Sequence, residues 1–287
     1  MKKIIYSFFL ILLSLISFLI IYLSTIGLET SKFNNIIINK IKEKDTDIQI
    51  SLDKIKIKFD LKKIQLYLST IEPQITYREV KIPIKEINLY TKIISILNSK
   101  NEINHAIIAI ENFKLKDVQK LATRIKPSNF KTYLLNNFSN GEIEEILIEV
   151  KLDKKLRISD YKVNGSIKKV NIKILNNLLI QDVSLNFISD KSLTLVNSLN
   201  AKYQDVLISN GSISLKKDEQ INIEGKFNSK FNLNENEIKK LFIKSNIRFL
   251  ERNKVNVQGS LLHNFTLKIN KNYNLIDYDY KSNGNIS

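Results

Sequence analysis

The feature that most constrains the fold of this chain is a two-residue alternation of apolar and polar side chains, which recurs along most of its length. Ile48, Ile50 and Leu52, for example, alternate with Gln49 and Ser51. Successive side chains of a β-strand point to opposite faces of a sheet, so this period indicates strands with one apolar face. Gly and Pro number only 7 and 3 in 287 residues, so few breaks interrupt the pattern. The alternation predicts a mainly β protein built from a large antiparallel sheet.

About fifteen segments carry this alternation, and only short stretches have the 3.6-residue period of a helix. Helices are predicted at 30–44, 91–97 and 235–242, and after the N-caps Asp117 and Ser128. A phase slip at Lys85–Glu86 predicts a β-bulge. So few helices leave much of the apolar face uncovered. The sheet must therefore pack on itself as a sandwich or curl around something apolar.

Five of the seven glycines lie at the centre of a similar five-residue pattern. A polar residue stands on each side of the glycine, the pattern begins with an apolar residue or Ser, and it ends with an apolar residue. These glycines are Gly165, Gly211, Gly225, Gly259 and Gly284. A glycine inside a strand marks a bulge or the close approach of a neighbouring segment, and both help a long sheet to curve. Because the spacing between them is irregular, we predict a loose repeat rather than a solenoid.

The N-terminal segment from Ile4 to Leu28 contains no charged residue. At ~1.5 Å per residue, a helix of this length crosses a ~30 Å hydrocarbon core. A cleaved secretory signal normally has an apolar region of only ~7–15 residues, so we predict an uncleaved signal-anchor, with a cleaved signal as the alternative. Lysines flank both ends of the segment. Because long domains cross the membrane largely regardless of charge, we expect a cytoplasmic N-terminus with the bulk of the chain exported.

The net charge of +16 does not indicate nucleic-acid binding. Arg, whose planar guanidinium binds phosphate bidentately, is rare among the 45 basic residues. The lysines alternate with Ile, as in the segment 54–58, which is typical of the solvated face of a strand. We therefore predict no nucleic-acid partner.

Residues that could carry catalysis or hold a metal are scarce. Cys is absent and only two His occur, so neither a thiolate nucleophile nor a structural zinc site is expected. His105 and His263 have no acidic or nucleophilic partner at motif spacing, and each is expected at the surface or rim. Asp277 and Asp279 would share one face of a strand but lack further oxygen ligands nearby. We predict no catalytic, cofactor or metal site, and hence no enzyme.

Four segments resemble the N-terminal region of the AsmA-like superfamily (AsmA, TamB and YhdP type) of bacterial envelope proteins. They are the helical segment at 33–44, the strands at 48–59, the strand–helix–strand segment at 80–115 and the region at 125–152. The resemblance implies an inner-membrane anchor at 1–28, an α+β region at 29–140 and an elongated, curved β-sheet at 141–287 that continues in a longer chain. It further implies a periplasmic protein of phospholipid transport and outer-membrane biogenesis.

The resemblance also implies that the apolar face of the sheet forms a groove for phospholipid or another acyl lipid. The candidate groove residues are Ile48, Ile50, Leu52, Ile55, Ile57, Phe59, Ile64, Leu66, Leu68, Ile146, Ile148, Val150 and Leu152. The alternation alone favours the core of an ordinary sandwich over a groove for these residues, and it is the resemblance that favours the groove. The alternative function is accordingly a structural or assembly factor, a closed β-sandwich that binds partner proteins through its edge strands.

Overall fold

A computed structural model describes residues 2–31, 34–44, 46–91, 103–153, 157–174, 178–241, 255–270 and 274–287. The protein is mainly β, with a large antiparallel sheet, a few short helices and an apolar N-terminal helix, which confirms the predicted fold class. The chain divides into two compact units. Unit 1 comprises 1–111 and 147–161, and unit 2 comprises 112–146 and 162–287.

The described helices are α1 (Lys2–Thr25), α2 (Asn34–Lys44), α3 (Leu115–Arg124), α4 (Asn129–Asn137) and α5 (Glu235–Leu241). Ser128 caps α4 as predicted, because its hydroxyl accepts a hydrogen bond from the backbone N–H of Lys131 at 3.2 Å. The predicted cap at Asp117 is wrong. A strand runs to Lys114 and continues directly into α3, so Asp117 lies within the first helical turn.

Two further helix predictions change at their ends. The helix predicted from residue 30 begins only at Asn34, because Leu28–Thr30 pairs with a neighbouring strand instead. In the helix predicted at 91–97, Thr91 ends a strand and 92–97 lie outside the described residues. The helix predicted at 235–242 is observed at Glu235–Leu241, and residue 242 lies outside the described residues.

Besides the strand residues 147–152 and 158–161, unit 1 contains five strands of the large antiparallel sheet and a small three-stranded sheet. Their strands are β1 (Leu28–Thr30), β2 (Ile48–Ser51), β3 (Ile55–Asp60), β4 (Gln65–Ile71), β5 (Gln74–Tyr77), β6 (Val80–Ile82), β7 (Ile84–Thr91) and β8 (Ile103–Lys114, of which 103–111 belong to this unit). The larger sheet has the order β1-β3-β4-β7-β8, and the smaller one β2-β5-β6. The pairing of β7 with β8 shifts between Ile84 and Glu86, which confirms the predicted bulge.

A closed core lies between α2 and the strands of unit 1. Ile50, Leu52 and Ile55 form a buried cluster, and Ile55 is fully inaccessible to solvent. Helix α2 covers this cluster with its apolar stripe, while Leu68 and Ile75 pack against it from neighbouring strands. The cluster therefore joins the helix and both sheets of the unit. Its partly buried helical residues are Ile37, Ile38 and Ile41.

Unit 2 is a run of long antiparallel strands. They are β9 (Phe138–Ser139), β10 (Glu142–Leu152, of which 142–146 belong to this unit), β11 (Ile158–Ile174, of which 162–174 belong to this unit), β12 (Leu178–Asp190), β13 (Leu193–Tyr203), β14 (Val206–Lys217), β15 (Ile221–Asn234), β16 (Asn256–Ile269) and β17 (Leu275–Ile286). From β11 to β17 each strand pairs with the next, and β9 pairs with β11. Among the described strands, β17 pairs only with β16.

Large side chains of neighbouring strands lie directly over four of the recurrent glycines. A Cβ atom on Gly225 would collide with the ring of Phe265, which is its partner on β16. Phe187, Leu199 and Phe231 occupy the equivalent space in the same way. The glycines that they cover are Gly165, Gly211 and Gly259, in that order. The predicted close approach at these positions is therefore confirmed, and its cause is a cross-strand ring or branched side chain that needs the missing Cβ volume.

Candidate functional site

The unit 2 sheet presents one face that we call the apolar face, and strand register defines it. Partnered residues of an antiparallel sheet point to the same side, so successive pairs form rows across the strands. The first row is Tyr280, Phe265, Gly225, Ile213, Val196, Phe187 and Gly165. The second is Tyr278, Leu267, Ile223, Leu215, Thr194, Ser189 and Val163. The third is Gly284, Leu261, Ser229, Ile208 and Ala201. None of these residues is charged.

The apolar face is only half shielded from solvent. Phe187, Val196, Ile213 and Phe265 are all half-buried rather than buried. Helix α5 covers one end of the apolar face, where Ile238 packs against Leu233 at the end of β15. The described strands of unit 2 form a single sheet, so no second sheet of that unit packs on this face. An uncharged, half-shielded surface several strands wide is a suitable receptor for an apolar ligand.

The opposite face of the same strands is polar. Asp279, Thr266, Glu224 and Ser214 form a row on this side, one residue out of phase with the apolar rows. Lys226 and Glu224 border a shallow hollow of about 400 Å³ there. The sheet is therefore amphipathic across these strands, and an apolar ligand would bind to one face only.

His263 occupies the apolar face in a hydrogen-bonded chain. Its Nε2 lies 2.7 Å from the Ser229 hydroxyl oxygen, and its Nδ1 lies 2.6 Å from the Tyr280 hydroxyl oxygen. The ring also stacks on Phe227, with 4.5 Å between centroids. His263 is only 8% exposed, so the expected surface or rim position is wrong for this residue. Burial lowers its pKa below the usual value of 6.5, because the imidazolium would lose its hydration.

In this hydrogen-bonded chain, the polar groups of Ser229, His263 and Tyr280 are one another's partners. A neutral imidazole has one N–H and one acceptor nitrogen, so one hydroxyl donates to the ring while the other accepts from it. Ser229 itself is 5% exposed, and the group beyond the imidazole is the phenol of Tyr280 rather than a carboxylate. The partners lie 34 and 17 residues from His263 in sequence. No local motif could have revealed them, because strand pairing alone brings them together.

His105 lies in a second aromatic row, on the polar face of the unit 1 sheet. Tyr67 stacks on Tyr90 at 4.9 Å, and the Tyr90 ring lies 5.1 Å from that of His105. Nζ of Lys63 lies 4.3 Å from the centre of the Tyr90 ring. Burial is the main cause that raises the pKa of Tyr90 to about 12. Burial and then Lys63 lower the pKa of His105, whereas Glu149, 3.8 Å away, raises it.

The predicted groove residues fall into three environments. Ile50, Leu52 and Ile55 belong to the closed core beneath α2. Ile64 was expected in a strand, but it lies in the turn before β4 with a positive φ of 51° and is 70% exposed. The remaining residues are half-buried strand residues or lie at strand ends: Ile48, Ile57, Phe59, Leu66, Leu68, Ile146, Ile148, Val150 and Leu152.

Strand pairing brings some of these groove residues together. Ile57 pairs with Leu68, and Phe59 pairs with Leu66 across β3 and β4. Glu149 faces His105 on the polar side of the sheet, so the neighbouring Ile148 points to the other side. Sequence periodicity thus placed these residues on one face, but it did not distinguish the part that α2 covers.

Groups that could hold a metal do not converge in the described part of the chain. No group of three or more His, Asp or Glu side chains comes together among those residues. The chain matches no protein-family model, no curated protein and no solved structure. The AsmA-like resemblance therefore stays a prediction that rests on sequence pattern.

Proposed function

We propose that this protein is anchored in a membrane by α1 and binds acyl lipid on the apolar face of its β-sheet. In the form that the AsmA-like resemblance suggests, the anchor lies in the inner membrane and the bulk of the chain in the periplasm. The protein would then carry phospholipid between membranes and serve outer-membrane biogenesis. The observation that best supports this proposal is the uncharged, half-shielded apolar face of unit 2.

The N-terminal helix supports the anchoring part of this proposal. Lys3–Thr25 is long and apolar enough to span a membrane, and none of its residues is buried. Length and composition of this kind are shared by a signal sequence. An exposed apolar helix is costly in water at about 25 cal/mol per Å², so a bilayer is the environment that fits it.

The energetics of acyl chains support the binding part. Each CH₂ group removed from water contributes ~0.8 kcal/mol, so a chain that loses bilayer contacts regains them only on a continuous apolar surface. An unpaired charge along the path would interrupt that surface. The three rows that define the apolar face contain Ser, Thr and Tyr but no Asp, Glu, Lys or Arg.

The test is site-specific photo-crosslinking of the full chain in cells. A photoreactive residue at Ile223 points to the apolar face, whereas one at Glu224 points to the polar face of the same strand. We expect phospholipid adducts, identified by mass spectrometry, at Ile223 and not at Glu224. Ile57 and Lys56 form the equivalent pair on β3.

The control pairs are one residue apart, so they experience the same expression level and the same membrane distance. Equal capture at both members of each pair would mean adventitious contact with lipid and would contradict the proposal. Capture of a stoichiometric protein at Ile223, with no lipid, would favour the assembly-factor alternative instead.

A further inference from the structure

We propose that the β3–β4 turn, residues 61–64, is a second membrane contact, which reaches into the headgroup layer of the bilayer that α1 spans. This contact rests on the anchoring part of the proposed function, because it needs α1 in the membrane, and it is independent of lipid binding on the apolar face. The turn has two exposed apolar side chains, Leu61 and Ile64, which flank two lysines. A turn of this composition suits the boundary between acyl chains and phosphate groups.

The end of α1 is fixed against the sheet of unit 1. The first residue of β1, Leu28, follows the helix closely and pairs with Ile57 of β3. Gly27 approaches β3 so closely that a Cβ atom on it would collide with the side chain of Lys58. Helix α1 also contacts β3 directly, and its residues 22–24 are half-buried. A membrane that holds α1 therefore also holds β3 at a set distance.

The β3–β4 turn points back towards the membrane. Strand β1 runs away from the end of α1, and β3 is antiparallel to β1. Strand β3 therefore passes Gly27 at Lys58 and continues along the side of the helix until it ends at Asp60. At about 3.3 Å per residue, Leu61 lies about 10 Å beyond Lys58 in this direction.

The membrane boundary falls at the same level. The candidate span Lys3–Thr25 has 23 residues. At ~1.5 Å per residue it covers about 34 Å, against a hydrocarbon core of ~30 Å, so its end emerges close to the headgroups. Tyr22 lies near that end, and tyrosines are enriched at the membrane–water boundary. A turn that extends about 10 Å back along the helix reaches the headgroups and the outer end of the acyl chains.

The conformation of Ile64 agrees with an apolar environment around the turn. Its φ of 51° lies in the left-handed region, which a β-branched residue rarely adopts, and its side chain is 70% exposed. Glu72, after the far end of β4, also has a positive φ, of 48°, and is exposed. The turn that faces the membrane thus has an Ile at its left-handed position, whereas the turn that faces away has a charged residue. Contact with acyl chains explains the difference.

The turn has a fixed shape and presents cations to the phosphate layer. A carboxylate oxygen of Asp60 accepts hydrogen bonds from the backbone N–H groups of Lys62 and Lys63, at 2.9 and 3.0 Å. Nζ of Lys63 lies over the Tyr90 ring, whereas the side chain of Lys62 is exposed. Lysines of this kind lay their aliphatic stems along apolar surface and keep the ammonium group among the phosphates.

The test is the membrane depth of single cysteines in the full-length chain, which has no native cysteine. Each variant is labelled with a small fluorophore and reconstituted in vesicles of phosphatidylethanolamine and phosphatidylglycerol that contain nitroxide-labelled phospholipid. We expect strong quenching at Leu61→Cys and Ile64→Cys. The matched control is Ile71→Cys, an exposed Ile at the far end of β4, about 23 Å from Ile64, which should be quenched little. Leu13→Cys, in the middle of α1, reports on the anchor.

A further variant separates membrane contact from folding. Asn tolerates a left-handed backbone, so Ile64→Asn should keep the melting temperature of the full chain in detergent. In this background the quenching at Leu61→Cys should fall at least about twofold, because an amide is disfavoured among acyl chains. Ile71→Asn is the control for that change and should leave the quenching at Leu61→Cys as it is.

The outcomes separate the turn from the anchor. Quenching at Leu13→Cys with none at Leu61→Cys or Ile64→Cys would overturn the turn contact and leave the anchor in place. No quenching at Leu13→Cys would overturn the anchor and the turn contact with it. Equal quenching at Ile64→Cys and Ile71→Cys would mean that the unit 1 sheet lies flat on the membrane, and would reject insertion of this one turn.

Discussion

At the residue scale, the side chains that matter most are those whose environment depends on neighbouring strands. His263 is uncharged because its ring is enclosed by Phe227, Ser229 and Tyr280, all on the apolar face. Gly225 is a glycine because Phe265 fills the volume of its absent Cβ. In both cases a polar or small residue interrupts an apolar strand pattern for a reason that lies on another strand.

The His263 chain predicts a pH dependence of stability. The pKa of His263 is below 6.5 when folded and near 6.5 when unfolded, so the unfolded state binds more protons between the two values. Stability is therefore full above pH 6.5 and falls as the pH drops towards the folded pKa, by at most about 1.4 kcal/mol per pH unit for one proton. His263→Gln should flatten this slope, as measured by urea unfolding at about pH 7.5 and about pH 5.5.

The matched control keeps the imidazole. Tyr280→Phe removes one hydrogen bond, at a cost of about 1–3 kcal/mol, yet leaves the ring buried, so the slope should persist. His105, whose pKa is also lowered, contributes a slope of the same sign in every variant. An unchanged slope in His263→Gln would show that this residue is not the source.

At the element scale, α1 is distinctive because apolar residues cover its whole circumference. A helix with a single apolar stripe would bury that stripe in a core, whereas one without a polar face needs a membrane or a wholly apolar environment. None of its residues from Lys3 to Thr25 is buried, in contrast to the stripe of α2 that packs on the unit 1 core.

The apolar content of α1 predicts how much charge it tolerates. About fifteen Leu, Ile and Phe residues each favour insertion by about 0.3–0.6 kcal/mol, and a central Arg costs about 2.5–3.5 kcal/mol. Leu13→Arg alone should therefore remain in carbonate-washed membranes. The triple variant Leu10→Arg/Leu13→Arg/Ile16→Arg should appear in the soluble fraction.

The same three positions changed to Val provide the control, which should stay in the membrane. N-terminal sequencing of the mature chain separates an anchor from a cleaved signal. A mature chain that starts near Gly27 and is soluble without any substitution would contradict the anchor.

At the scale of the whole molecule, the question is which apolar residues hold the fold and which are open to a ligand. Ile55 is fully buried under α2, whereas Ile148 is a half-buried residue of β10. Both belong to unit 1 and both have the same side chain. They therefore form a matched pair for separating a core from a binding surface.

Replacing each residue by Asp should give opposite results. Ile55→Asp leaves a carboxylate in a closed core at a cost of several kcal/mol, so protein level and melting temperature should fall sharply. The carboxylate of Ile148→Asp can reach water, so the fold should survive, whereas under the proposed function phospholipid capture should be lost. Equal loss of protein for both would mean that Ile148 is also core, and would favour the closed-sandwich alternative.

Local periodicity determined the elements of this protein. A period of two residues sufficed to predict a mainly β chain, the bulge at Lys85–Glu86 and the apolar side of several strands, because backbone geometry alone sets which way a side chain points. The charge-free N-terminal helix and the Ser128 cap were equally predictable, since both depend on residues within a few positions of each other.

Only the tertiary structure decided which residues meet. Ser229 and Tyr280 reach His263 through strand pairing, and α2 rather than a lipid covers Ile50 and Ile55. Alternation is the same for a strand face under a helix and for a strand face open to a ligand, because both exclude charge. The difference lies in what packs on the face, and that is set by contacts between residues far apart in sequence, which no local pattern contains.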